Sequence, residues 1–267
     1  MTSSPGGAIG IFDSGVGGLT VLRELRRRLP GEDFVYLGDT ARLPYGTKSA
    51  DTVRRYALNA TAHLLGEGLK LLVVACNTAS AEALDAVTAA SPVPVVGVVE
   101  PGARAAIATG ARRVAVIGTE GTVRSGAYQD ALRRLDPEVV VEAAPCPLLV
   151  PLAEEGWGDH PITDQVAETY LRPLLDRGVE ALILGCTHYP LLTPSLARIA
   201  GPDVRLVDSA SSVTDTVVLD HGTLLSDASG REGRLRLQLT DRSERFLRIA
   251  ASILGATPDE VELVDVV

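Results

Sequence analysis

Two cysteines in this chain stand in matching surroundings. Cys76 follows Leu71-Leu72-Val73-Val74-Ala75 and precedes Asn77-Thr78, while Cys186 follows Ala181-Leu182-Ile183-Leu184-Gly185 and precedes Thr187-His188. They are 110 residues apart (186 − 76). A buried cysteine alone is usually a small hydrophobe. A pair that ends two equivalent strands can do more. If both thiols face one cleft from opposite sides, one can take a proton from a stereocentre while the other returns one to the opposite face. A metal site is a weak reading, since two thiols and one histidine lack regular ligand spacing. His188 also leaves a Cys–His nucleophile pair open. The third cysteine, Cys146, lies between two prolines without adjacent donors and reads as structural.

Two other loops carry candidate ligand groups. Asp13-Ser14-Gly15-Val16-Gly17-Gly18 follows an apolar run and opens a helical stretch. Glycines there let backbone N–H groups approach an anion. The spacing is not a dinucleotide fingerprint, and Asp13 with Ser14 better suits a small ligand bearing a cationic amine. A tight turn capped by Asp13 is the other reading. In the second loop, Asp39 to Lys48, Tyr45 offers a hydroxyl and Gly46 a close backbone amide; a turn packed on its own helix accounts for it equally well. Trp157, the only tryptophan, is expected on a loop near the cleft, and His63, His160 and His221 are expected at surface or capping positions.

The elements that would position these groups alternate along the chain. Strands are predicted at 9–12, 34–37, 71–75 and 93–99, with helices at 19–29, 50–66 and 80–90. The pattern then restarts. Val114 to Thr119 echoes Ile9 to Ser14, Val139 to Val141 echoes Phe34 to Tyr36, and the run before Cys186 echoes the run before Cys76. The expected fold is α/β: two similar domains with mostly parallel sheets, related by a pseudo-twofold axis, with the active site in the cleft between them. The last part reads as a helix from Asp208 to Leu225, a strand at 234–239, a helix opened by a capping box in Asp241-Arg242-Ser243-Glu244, and a short strand at 261–266. This tail is expected to return to the first half. The domains are therefore expected to be 1–97 plus 207–267, and 98–206, with Pro92, Pro94 and Pro101-Gly102 marking the first crossing.

Composition narrows the function. The chain has 267 residues, 46% hydrophobic and 22% charged, with a net charge of −9. That argues against a nucleic-acid surface. Three cysteines without CxxC spacing suit a reducing cytoplasm. No signal peptide and no apolar run near the roughly 20 residues of a membrane span is visible. Few residues precede the first strand, so no long N-terminal regulatory extension is expected. Of 25 basic residues only Lys48 and Lys70 are lysines, which makes a pyridoxal-phosphate Schiff base less natural.

The segments Phe12-Asp13-Ser14-Gly15-Val16-Gly17-Gly18, Pro44-Tyr45-Gly46, Ala75-Cys76-Asn77-Thr78-Ala79 and Gly185-Cys186-Thr187-His188-Tyr189-Pro190 closely resemble those of the glutamate racemases, within the aspartate/glutamate racemase superfamily, in order and spacing along nearly the whole chain. Cys146-Pro147 through Val150-Pro151 to Glu154 fits as well. The resemblance implies inversion of glutamate at Cα without cofactor or metal, in the cytoplasm, by a homodimer supplying D-glutamate for peptidoglycan. It implies Cys76 as the base toward D-glutamate and Cys186 as the base toward L-glutamate. Asp13, Glu154 and His188 would assist. Asp13, Ser14, Tyr45, Gly46, Asn77, Thr78, Thr187 and His188 would hold the substrate, with Thr119 and Thr122 as further carboxylate donors. Aspartate racemisation and a non-catalytic two-lobed amino-acid-binding module are the rival expectations.

Overall fold

The computed structural model describes residues 6–225, 232–255 and 261–267. Its described strands are β1 (Ala8–Asp13), β2 (Phe34–Gly38), β3 (Leu69–Val74), β4 (Val95–Gly97), β5 (Arg113–Gly118), β6 (Val140–Pro145), β7 (Ala181–Gly185), β8 (Arg205–Asp208), β9 (Leu235–Leu239) and β10 (Glu262–Leu263). The helices are α1 (Leu19–Arg28), α2 (Ala50–Leu65), α3 (Asn77–Ala90), α4 (Val99–Ala108), α5 (Glu120–Ser125), α6 (Ala127–Leu135), α7 (Leu149–Glu154), α8 (Pro161–Leu175), α9 (Thr193–Ala200), α10 (Ser209–Asp220) and α11 (Glu244–Leu254). None of them is long and apolar enough to cross a membrane.

Every strand pairing is parallel, in two sheets ordered β10-β9-β2-β1-β3-β4 and β6-β5-β7-β8. The run β2-β1-β3-β4 of the first sheet repeats as β6-β5-β7-β8 in the second. Cys76 therefore follows β3 and Cys186 follows β7, its counterpart. We call each sheet with its helices a lobe.

Parallel strands need crossover helices on both faces, so their residues are buried on both sides. The alternation along β1 and β3 shows this. Ile9, Ile11, Leu71 and Val73 pack with α1, α10 and α11 on one face. Phe12, Leu72 and Val74 pack with α2 and α3 on the other. In the second lobe Ala115, Ile117, Leu182 and Leu184 face α7, α8 and α9. Val114, Val116, Ala181 and Ile183 face α4 and α6.

The differences from expectation have local causes. Helix α3 begins at Asn77, with Cys76 as its N-cap residue, so Asn77 and Thr78 form a first helical turn rather than a loop. The strand predicted at 93–99 stops at Gly97, and α4 starts at Val99 with Pro101 and Gly102 inside it. Proline in a first turn removes an N–H that has no helical partner there. Ser243, not Asp241, caps α11: its hydroxyl accepts from Phe246 N at 3.1 Å, which puts Glu244 too early to close a capping box. Helix α10 ends at Asp220 and is followed by a 3-10 turn at Gly222–Leu224. The last strand is confined to Glu262–Leu263.

Candidate active site

All four loops singled out above converge where the carboxyl ends of the two sheets meet. A small cleft there is lined by Ser14, Tyr45, Gly46, Cys76, Asn77, Thr78, Thr119, Val150, Cys186, Thr187 and His188. Its free space is about 40 Å³, room for little more than a water molecule. That space is smaller than an amino acid needs, so the arrangement described is a closed one.

Cys76 is buried at the N-terminus of α3, and its thiol donates to Ser14 Oγ at 3.5 Å. Burial and the Asp13 carboxylate push the Cys76 thiol up to about 12, against the Ser14 contact and the Ala79 N–H. Asp13, at the end of β1, is fully buried. One of its oxygens accepts from Gly15 N at 2.9 Å and the other from Thr187 Oγ1 at 3.4 Å. The first-lobe carboxylate thus reaches the loop that carries the second cysteine. Tyr36 donates to Gly15 O at 2.8 Å and pins the loop from beneath.

Cys186 lies in a different setting. Its sulfur is 3.8 Å from His188 Nδ1. On the other side of the ring, Nε2 is 3.3 Å from Glu154 Oε1, at ion-pair distance though off the alignment of a hydrogen bond. Burial opposes a charge on His188. Its contacts with Cys186 and Glu154, and the charge of Asp13, outweigh that and push it up to about 10. Glu154 is held below the usual carboxylate range by His188, against its own burial, with the Arg245 charge adding to the effect. The ring is thus held between the Cys186 sulfur and the Glu154 carboxylate, one nitrogen toward each.

Because the folded-state pKa of His188 is raised, its stabilising contribution is complete below the ordinary imidazole range and is lost as pH rises through about 10. A His188→Gln variant is expected to melt below wild type at pH 6. The gap should narrow as pH approaches 10, which thermal melts across that range would measure.

The remaining groups bind the lobes together. Asn77 donates to Tyr128 Oη at 2.8 Å and to Ser209 Oγ at 3.1 Å, both outside the sequence reading. Its amide oxygen is buried and unpartnered. Asn77→Ala is expected to lower stability by about 1–2 kcal/mol, measured by denaturant unfolding. Thr78 joins Thr119 at 2.9 Å and Thr122 at 3.2 Å, and the last two are 3.1 Å apart. Three hydroxyls at the start of α5 and α3 make a compact donor cluster suited to a carboxylate. Gly46 touches the same cluster: a Cβ there would lie 2.5 Å from Thr119 Cβ. Gly17 makes the other close approach, where a Cβ would lie 2.3 Å from Thr187 Oγ1 and 2.6 Å from His188 Nδ1.

Some candidate groups have other partners. The Tyr45 hydroxyl donates to Asp39 at 2.5 Å, and burial raises its pKa. It is committed to that carboxylate, so Tyr45 meets the cleft with the rest of its side chain and its backbone. Cys146 is buried and donates to Ala144 O at 3.6 Å, with burial pushing it up to about 12. His160 caps α8 through Nδ1 and stacks on Trp157 at 4.6 Å. Among the described residues no group of three or more His, Cys, Asp or Glu could hold a metal ion.

The comparisons fit this geometry. The family model for Asp/Glu/hydantoin racemases matches residues 9–217. A glutamate racemase of Geobacter metallireducens is 52% identical over 260 residues, covering 96% of each chain. The crystal structure of a glutamate racemase isoform from Bacillus anthracis superposes with a TM-score of 0.93 at 39% identity, covering 98% of both chains. That of the Francisella tularensis glutamate racemase in complex with D-glutamate gives 0.90 at 36% identity, covering 98% of this chain and 99% of the other. On fold, site and sequence the chain belongs to the Asp/Glu/hydantoin racemase family of amino-acid isomerases, on its glutamate racemase branch.

Proposed function

We propose that the protein interconverts L- and D-glutamate by two-base proton transfer at Cα, with Cys76 and Cys186 as the two bases and no cofactor. The observation that carries this is the pair of thiols after the equivalent strands β3 and β7, lining one cleft. Support for glutamate comes from relatives of that name, one with D-glutamate bound.

Toward L-glutamate, Cys186 is the base. His188 lies against its sulfur, and Cys76, held protonated by burial and Asp13, is the acid that delivers a proton to the opposite face. Toward D-glutamate the roles reverse, and the substrate ammonium beside Asp13 offsets the negative charge that holds Cys76 protonated. The α-proton is weakly acidic, so the carbanion needs fixed donors and little water. The Ser14, Thr78, Thr119 and Thr122 hydroxyls supply donors, and the unpartnered Asn77 amide oxygen can accept from the substrate ammonium. Closure of the lobes supplies the dry cleft.

The reading extends to a cytoplasmic homodimer that provides D-glutamate for peptidoglycan. Incubation in D₂O with each enantiomer of glutamate and of aspartate, without added cofactor, tests the activity. Deuterium should enter Cα of both glutamate enantiomers with loss of optical activity. Preferential exchange of aspartate would favour the aspartate reading, and no exchange would leave a binding module.

A further inference from the structure

Helix α11 belongs to the first lobe. It packs on α1, where Arg23 donates to Ile253 O at 3.2 Å. At its start, however, Arg245 reaches across to the second lobe. One guanidinium nitrogen lies 3.1 Å from Glu154 Oε2 and 2.9 Å from Glu155 Oε1. Glu154 Oε1 is the oxygen beside His188 Nε2. The two oxygens of one carboxylate are thus divided between a histidine of the site and an arginine of the opposite lobe.

We infer that Arg245 is a positioning residue: by holding one oxygen of Glu154 it turns the other onto His188, and so steadies the Cys186 side of proton transfer when the lobes are together. The inference rests on the two-base reading above. A carboxylate at the end of a short helix has freedom about its side-chain torsions, and one ion pair at 3.3 Å without hydrogen-bond alignment does not fix it. A second contact from a planar donor removes that freedom. The contact can form only when the first lobe meets α7, so it ties the orientation of His188 to closure.

The charges that face Glu154 are His188, Arg245 and Glu155, with Asp159 and Arg248 along the groove on one side of α11 and Asp241 on the other. Removing the Arg245 cation leaves Glu154 easier to protonate, so the acid limb of the rate profile moves to higher pH.

The test is Arg245→Met and Arg245→Lys, with primary isotope effects measured in both directions. With the guanidinium gone, kcat is expected to fall about fivefold, and lysine should restore part of it. The effect should be unequal between enantiomers. If Cys186 abstraction becomes slower, the isotope effect with α-deuterated L-glutamate grows and that with α-deuterated D-glutamate shrinks. These ratios do not depend on the amount of folded enzyme, so a loss of stability alone leaves them unchanged. Unaltered isotope effects in both directions, or a lysine variant no better than methionine, would overturn the inference. A wild-type protein that racemises glutamate while Arg245→Met matches it sinks this role only. A wild-type protein without racemase activity sinks the two-base reading and this role together.

Discussion

A Cys186→Ala protein is expected to lose interconversion of both glutamate enantiomers by about 10⁴-fold, and Cys76→Ala to do the same. The losses differ in what survives. On the two-base reading, Cys76 alone can still take the proton of D-glutamate, so exchange with solvent deuterium should persist for D-glutamate without inversion. With Cys76 absent, the His188-supported thiol should exchange L-glutamate only. Chiral chromatography and proton NMR of the recovered substrate separate these outcomes. Racemisation at the wild-type rate by either variant would contradict the two-base assignment. Exchange of the wrong enantiomer would interchange the two thiols.

Gly17→Ala is expected to reduce kcat/KM by about 100-fold while the melting temperature changes little. The added Cβ would sit 2.3 Å from Thr187 Oγ1 and 2.6 Å from His188 Nδ1, distances that side chains do not tolerate. Thr187 is held by Asp13 and His188 lies between Cys186 and Glu154, so neither moves without disturbing a reacting group. Relief requires the lobes to stand apart by about 1 Å, and a misplacement of that size costs about 10²-fold. The sheets and their cores lie away from the contact. Gly222→Ala, where an added Cβ meets nothing within 4 Å, is the control and should retain full activity. A Gly17→Ala enzyme with wild-type kinetics would show that closure is looser than the geometry implies.

Much of the site was legible because it lies at strand ends. A continuous short apolar run that gives way to polar residues marks the carboxyl edge of a buried parallel strand, and Asp13, Cys76 and Cys186 all stand at such an edge. What the sequence misread was the start of α3. Asparagine and threonine have low helix propensity, which argues for a loop, but in a first turn their side chains are free to bond elsewhere, and Asn77 and Thr78 bond into the second lobe. Pro101-Gly102, read as marking the crossing between the halves, lie in the first turns of α4, between β4 of one sheet and β5 of the other. For the Asp39–Lys48 loop both readings were open, and the structure gives the Tyr45 hydroxyl to a carboxylate six residues away while the residue still lines the cleft. Arg245 had no local signal. Its partner Glu155 is 90 residues away, and only the packing of α11 between the lobes brings them together.

The repeated strand order also bears on how a chain of L-residues can serve two mirror-image substrates. Reflection is closed to such a chain; a proper rotation is the nearest operation available. The run β2-β1-β3-β4 and its copy β6-β5-β7-β8 place the two cysteines after equivalent strands, as such a rotation would. On the two-base reading proposed above, rotation and reflection coincide for the two thiols and for a planar carbanion between them, but not for the carboxylates and ammonium around it. The surroundings of the sulfurs must therefore break the repeat, and they do: Ser14 touches one, His188 the other. Perfect internal symmetry would be a handicap in this reaction, so a chain designed from two identical halves should favour neither enantiomer's binding pose and should turn over both poorly.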